Sequence, residues 1–100
     1  MVAKAVDNAL LQQAMMYYQQ QQWQKALAVT EQMLNKKAED FNALHLQALI
    51  DVELNQISKA LSLYQQALSI HSGYAQLHCN YGIALSRAGK QAEAINSYQT

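Results

Sequence analysis

The feature that most constrains this chain is a spacing of 34 residues. Ala26, Ala60 and Ala94 fall on it, and so do the small residues Ala14, Ala48 and Gly82. The aliphatics Leu27, Leu61 and Ile95 keep the same register, as do the pairs Tyr64 and Tyr98, and Leu34 and Leu68. The turn formers Gln21, Asn55 and Gly89 also coincide. Size classes that recur at one period define a repeat, and such a unit buries its apolar face only by stacking on its neighbours.

Composition says what fills the unit. The chain has 100 residues, no proline and three glycines. Alanine, leucine and glutamine dominate, and all three form helices readily. The fold class is therefore all-α. Helices are expected over 7–20, 23–36, 41–54, 57–71, 75–88 and 91–99, about six in total. Gly89 can take the left-handed conformation that ends a helix, and Asn55 can substitute for glycine there. Asp40 is placed to cap the third helix. Counted from Asp7, Phe41 and Ala75, positions 4, 8 and 11 of each unit share one face of its first helix.

A 34-residue unit of two helices resembles the tetratricopeptide repeat. That family places bulky residues at positions 4 and 11, small residues at 8, 20 and 27, an aromatic at 24 and proline at 32. The first unit supplies Leu10, Ala14, Tyr17, Ala26, Thr30, Met33 and Ala38. The second supplies Leu44, Ala48, Asp51, Ala60, Tyr64, Ala67 and Ser72, and the third supplies His78, Gly82, Leu85, Ala94 and Tyr98. Thr30, Met33, Asp51 and the missing prolines depart from the pattern, and the missing prolines suggest less sharply defined junctions. The resemblance implies one domain over 1–100, a right-handed α-solenoid of antiparallel helix hairpins. Its repeats would be 7–40, 41–74 and an incomplete 75–100. Position 4 points into the hairpin, so His78 is expected inside. Tyr17, Tyr64 and Tyr98 are expected to be structural, whereas Tyr18, Tyr74 and Tyr81 are less fixed by the pattern.

A stack of this kind leaves a concave surface lined by its first helices. Positions 2, 5, 9 and 12 lie on that side. They are Asn8, Leu11, Met15 and Tyr18, then Asn42, His45, Leu49 and Val52, then Gln76, Cys79, Ile83 and Ser86. The surface is apolar with a polar edge, which suits a peptide or helix of a partner protein. Repeats that clamp the acidic tails of heat-shock chaperones carry cations on this face. Here the matching residues are Leu11, Met15, Leu46, Gln76 and Asn80, so an acidic tail is not the expected ligand. Apolar residues at the end of the last unit, with Ile95 and Tyr98 near them, predict self-association by end-to-end stacking or exchange of a helix.

Other functions are disfavoured. Seven basic and seven acidic residues cancel to a net charge of zero, and the cations are scattered. Nucleic-acid binding normally needs a basic excess to neutralise phosphates, so no nucleic-acid partner is expected. No apolar run reaches membrane-spanning length, and the single Cys79 cannot form an internal disulfide, which fits a cytoplasmic protein. A metal site is not expected from His45, His78 and Cys79: the neighbours His78 and Cys79 point about 100° apart, and His45 with Cys79, at position 5 of successive units, supplies two ligands. No phosphate loop, serine elbow or carboxylate pair appears, so neither enzyme activity nor a cofactor is expected. The four glutamines Gln19 to Gln22 read as a solvated turn, with Trp23 packed beside it. The leading expectation is a protein-interaction module, scaffold or adaptor. The alternative is a non-catalytic N-terminal segment of a larger enzyme, as in some glycosyltransferases and sulfotransferases.

Overall fold

The structure is a computed structural model that describes residues 2–99, with side chains described for residues 9–90. It contains five helices: α1 (Val2–Gln19), α2 (Trp23–Lys36), α3 (Phe41–Glu53), α4 (Ile57–Ile70) and α5 (Ala75–Gln99). No strand occurs among the described residues. Helices α1 and α2 are joined by three residues and pack together, and α3 and α4 repeat the arrangement. A connection that short forces each pair to run antiparallel.

The two hairpin turns are built alike because their sequences place equivalent donors and acceptors 34 residues apart. Gln21 N donates to Tyr18 O and Gln22 N to Tyr17 O, at 3.0 and 2.9 Å. Asn55 N donates to Val52 O and Gln56 N to Asp51 O, at 3.0 and 2.7 Å. Gln21 and Asn55 reach these bonds by taking φ of 60° and 61°. A residue with a Cβ pays roughly 1–2 kcal/mol for that conformation. Gln21→Gly is therefore expected to raise stability by about 1 kcal/mol, read as a higher urea midpoint with an unchanged slope.

The junctions between hairpins also repeat. Lys37 and His71 leave α2 and α4 in extended conformation, at φ −148° and −149°, each returning its N–H to the carbonyl four residues back. The junctions thus share one geometry without proline at Ala38 or Ser72. Asp40 caps α3 as expected, its Oδ1 accepting from Ala43 N at 3.2 Å.

The core lies on both sides of α3. Ala43, Leu46 and Ile50 pack with Ala14, Ala26, Val29 and Met33 of the first hairpin. Leu44, Ala48 and Val52 pack with Ile57, Ala60, Tyr64 and Ala67 of α4 and with Leu77 and Ala84 of α5. A helix apolar around its circumference is stable only when covered on opposite faces, and α3 meets that condition because it has a hairpin on each side.

The third unit differs from expectation. Helix α5 continues unbroken through Gly89, where a turn between two helices was predicted. No glycine has positive φ among the described residues. A glycine weakens a helix by about 1 kcal/mol relative to alanine but does not stop it, and no proline follows to enforce a break. His78 is consequently not inside a hairpin. It is exposed, and its ring nitrogen meets the Ser72 carbonyl. Leu77 and Ala84, both fully buried, take the packing positions instead. They match Ala43 and Ile50 in register, so α5 covers α4 with the face that α3 turns to α2. Ile95 and Tyr98 lie outside the described side chains.

Candidate interaction groove

Two adjoining depressions lie along the first helices. The first, about 210 Å³, is lined by Leu11 and Met15 of α1, by Asn42, His45, Leu46 and Leu49 of α3, and by Tyr74. The second, about 200 Å³, is lined by Tyr18, Leu49, Val52, Tyr64 and Ile83, with Glu53, Asn80 and Arg87 at its polar side. Leu49 lies in both and makes them one groove.

Spacing explains the grouping. Residues one 34-residue unit apart, such as Leu11 and His45, come side by side when successive hairpins stack. The structure thus gathers Leu11, Met15, Asn42, His45 and Leu49 in one depression, and Tyr18, Val52 and Ile83 in the other. These eight were all read from the sequence. Val52 is the most buried of them and belongs mainly to the core. Gln76, Cys79 and Ser86 are exposed on α5 and line neither depression. The Asn8 side chain lies outside the described residues.

The sequence-derived set lacks Leu46, Glu53, Tyr64, Asn80 and Arg87 among the lining residues, and it lacks Tyr74. Tyr74 occupies the position where Asp40 caps α3, yet a phenol cannot serve as that cap. The Tyr74 carbonyl instead accepts from Leu77 N and His78 N at 3.1 and 3.3 Å. Its ring joins an aromatic wall. Phe41 meets His71, Tyr74 and His45 at centroid distances of 5.3, 5.7 and 6.1 Å. His45 continues to Tyr74 at 5.9 Å and to Tyr64 at 6.1 Å, and Tyr64 to Tyr81 at 5.9 Å. Edge-on contacts of this type add about 0.5–1.5 kcal/mol per pair beyond area burial, so this wall is well fixed. The usable sequence signal was an aromatic in a capping position.

His45 is half-buried, and burial holds its pKa below the ordinary histidine range. Its ring is therefore neutral at neutral pH. An Nδ2–H of Asn80 donates to His45 Nε2 at 2.9 Å, and Asn80 Oδ1 accepts from Gln76 Nε2 at 3.1 Å. This chain of bonds ties α5 to α3 beneath the groove. At the other end Tyr18 packs edge-on against Trp23, at 5.2 Å. Burial raises the Tyr18 pKa, Glu53 raises it further, and Arg87 opposes both. Among the exposed large apolar side chains, Met15 is 46% and Ile83 is 49% exposed, so the groove offers apolar surface to a partner.

Cys79 is exposed and free. Among the described residues no three of His, Cys, Asp and Glu come together as metal ligands. No described helix is long and apolar enough to cross a membrane. A third depression, about 260 Å³, opens beside the second helices and is lined by Leu27, Glu31, Gln47, Asp51, Lys59, Ser62, Leu63 and Gln66. Its mixed charge offers less to an apolar ligand.

A family model described as a bacterial transcriptional activator domain matches residues 3–100. No curated protein matches the chain.

Proposed function

Because the chain belongs to the bacterial transcriptional activator domain family, a helical, tetratricopeptide-like domain of transcriptional activators, we propose that it is the protein-contact part of such a regulator. Its groove docks an apolar helix or extended segment of a partner protein. The carrying observation is the depression shared by Leu11, Met15, Leu46, Leu49 and Tyr74, with Asn42 and His45 supplying polar contacts at its side. Apolar pockets with a few placed polar groups are the usual form of helix-in-groove recognition. The domain performs no chemistry and needs no cofactor in this reading, and it works in the cytoplasm, where a bacterial activator meets its promoter. The stack is read as a right-handed solenoid whose inner surface is this groove.

DNA contact is assigned elsewhere. The balance of seven basic and seven acidic residues leaves no net positive charge to attract phosphates. The family match favours a regulator over the enzyme-segment alternative. We also propose self-association through α5, whose face away from the groove shows Leu85 at 47% exposure.

The double variant Leu11→Asp with Met15→Asp tests the groove. Two carboxylates there are expected to weaken partner capture in a pull-down about ten-fold while the helical circular-dichroism spectrum is kept. Capture at the level of the unaltered domain would overturn the reading. A mobility shift of duplex DNA by this domain alone, at physiological salt, would overturn the exclusion of nucleic acid.

A further inference from the structure

Helix α5 leaves uncovered a face that the other two units cover. At position 8, Ala14 and Ala48 are fully buried by α2 and α4, and at position 4 Leu44 is 2% exposed. The equivalent residues His78 and Gly82 on α5 are exposed, and Leu85, at position 11, is 47% exposed. A Cβ placed on Gly82 or on Gly89 would meet nothing within 4 Å. The face is therefore open along its length.

The sequence states what kind of helix fits it. In α4, the residues turned toward α3 include Ala60 and Tyr64. Their counterparts one 34-residue unit later are Ala94 and Tyr98, in the last part of α5. The ligand for the open face is thus written in the same helix, but an unbroken helix cannot fold onto itself. Over 25 residues, α5 extends about 37 Å, which carries its end away from Gly82 and Leu85.

We propose that this face is a docking site for α5 of a second copy of the chain. In a hairpin, the two helices pair antiparallel about position 15. A twofold axis beside Gly89 pairs two unbroken α5 helices about that same position. The face of His78, Gly82 and Leu85 in each copy then receives the segment 94–98 of the other, with the register that Ala48 and Tyr64 have inside the second hairpin. Both copies keep the unbroken helix that is observed, and Gly89 at the crossing leaves room for close approach. The result is a dimer by reciprocal helix exchange, with both grooves left free. The inference deepens the proposed self-association and is independent of what the groove binds.

The test is a cysteine pair in the full 100-residue chain. Cys79→Ser removes the native thiol, and Gly82→Cys with Tyr98→Cys marks the pairing. Mild oxidation is expected to give a disulfide-linked dimer on a non-reducing gel. A disulfide within one chain, seen as a faster monomer band, would overturn the proposal by showing that α5 bends at Gly89 and closes on itself. Sedimentation across protein concentration supplies the second readout. The unaltered chain is expected to dimerise, and Leu85→Asp, at an exposed position, to raise the dissociation constant at least about ten-fold. A monomer at all concentrations, or a dimer indifferent to Leu85→Asp, would equally overturn it. The Leu11 and Met15 variants are expected to dimerise normally, which separates this result from failure of the groove.

Discussion

Tyr64→Ala is expected to cost about 3–5 kcal/mol, the largest loss from any single substitution considered. Tyr64 is the largest fully buried side chain. It sits where α3, α4 and α5 meet, packed with Leu44, Ala48, Leu77 and Ala84. Its ring also meets His45 and Tyr81. Truncation would leave a cavity bounded by three helices, and neighbours held on opposite sides cannot collapse far to fill it. A domain of this size has a total stability of about 5–15 kcal/mol, so the loss is a large share of the whole. The expected readout is a urea midpoint lowered to the point where little folded baseline remains.

Tyr64→Phe separates the ring from the hydroxyl. The phenol oxygen is buried and has no hydrogen-bond partner in the protein. Burial drives its pKa far above the ordinary tyrosine range, so it stays protonated. An unpaired buried hydroxyl costs roughly 1–3 kcal/mol. Phenylalanine keeps the volume and removes that cost, and Tyr64→Phe is expected to be neutral or stabilising by about 1 kcal/mol. A loss of more than 1 kcal/mol would mean that the hydroxyl has a partner after all, such as a bound water.

The contrast between Tyr64 and Tyr74 shows how much could be read from the chain. Tyr64 lies on the 34-residue period, and its structural role followed from that register. So did the hairpin turns at Gln21 and Asn55 and eight of the residues that line the two depressions, whereas the Asp40 cap was legible from its residue type before a helix start. Tyr74 is off the pattern, because one position can hold a cap in one repeat and a groove wall in the next. The unbroken course of α5 was hidden for a different reason. Glycine permits the left-handed turn without requiring it, and Gln21 and Asn55 turn where Gly89 does not. His78 was misplaced in consequence. Its register was right, but register decides burial only when the facing helix is present.

Asp51→Leu is expected to stabilise the domain by about 2 kcal/mol at neutral pH. Position 11 holds Tyr17 and Leu85 in the other units, and Asp51 puts a carboxylate there at 4% exposure. Burial raises its pKa above the ordinary value of 3.8, with Glu31 adding to the rise and Lys59 opposing it. The raised pKa means that the folded chain binds this proton more tightly than the unfolded chain does. The linkage sign follows: this group's penalty is absent below pH 3.8 and grows as pH rises toward the folded pKa. It is complete above that pKa, so stability falls across the window. Leucine removes the titrating group and supplies the bulk that the pattern favours. The gain from Asp51→Leu should therefore shrink as pH is lowered toward 3.8, leaving only the packing contribution. Urea unfolding of both proteins over that range checks it, and a gain independent of pH would show that Asp51 carries no buried charge in the fold.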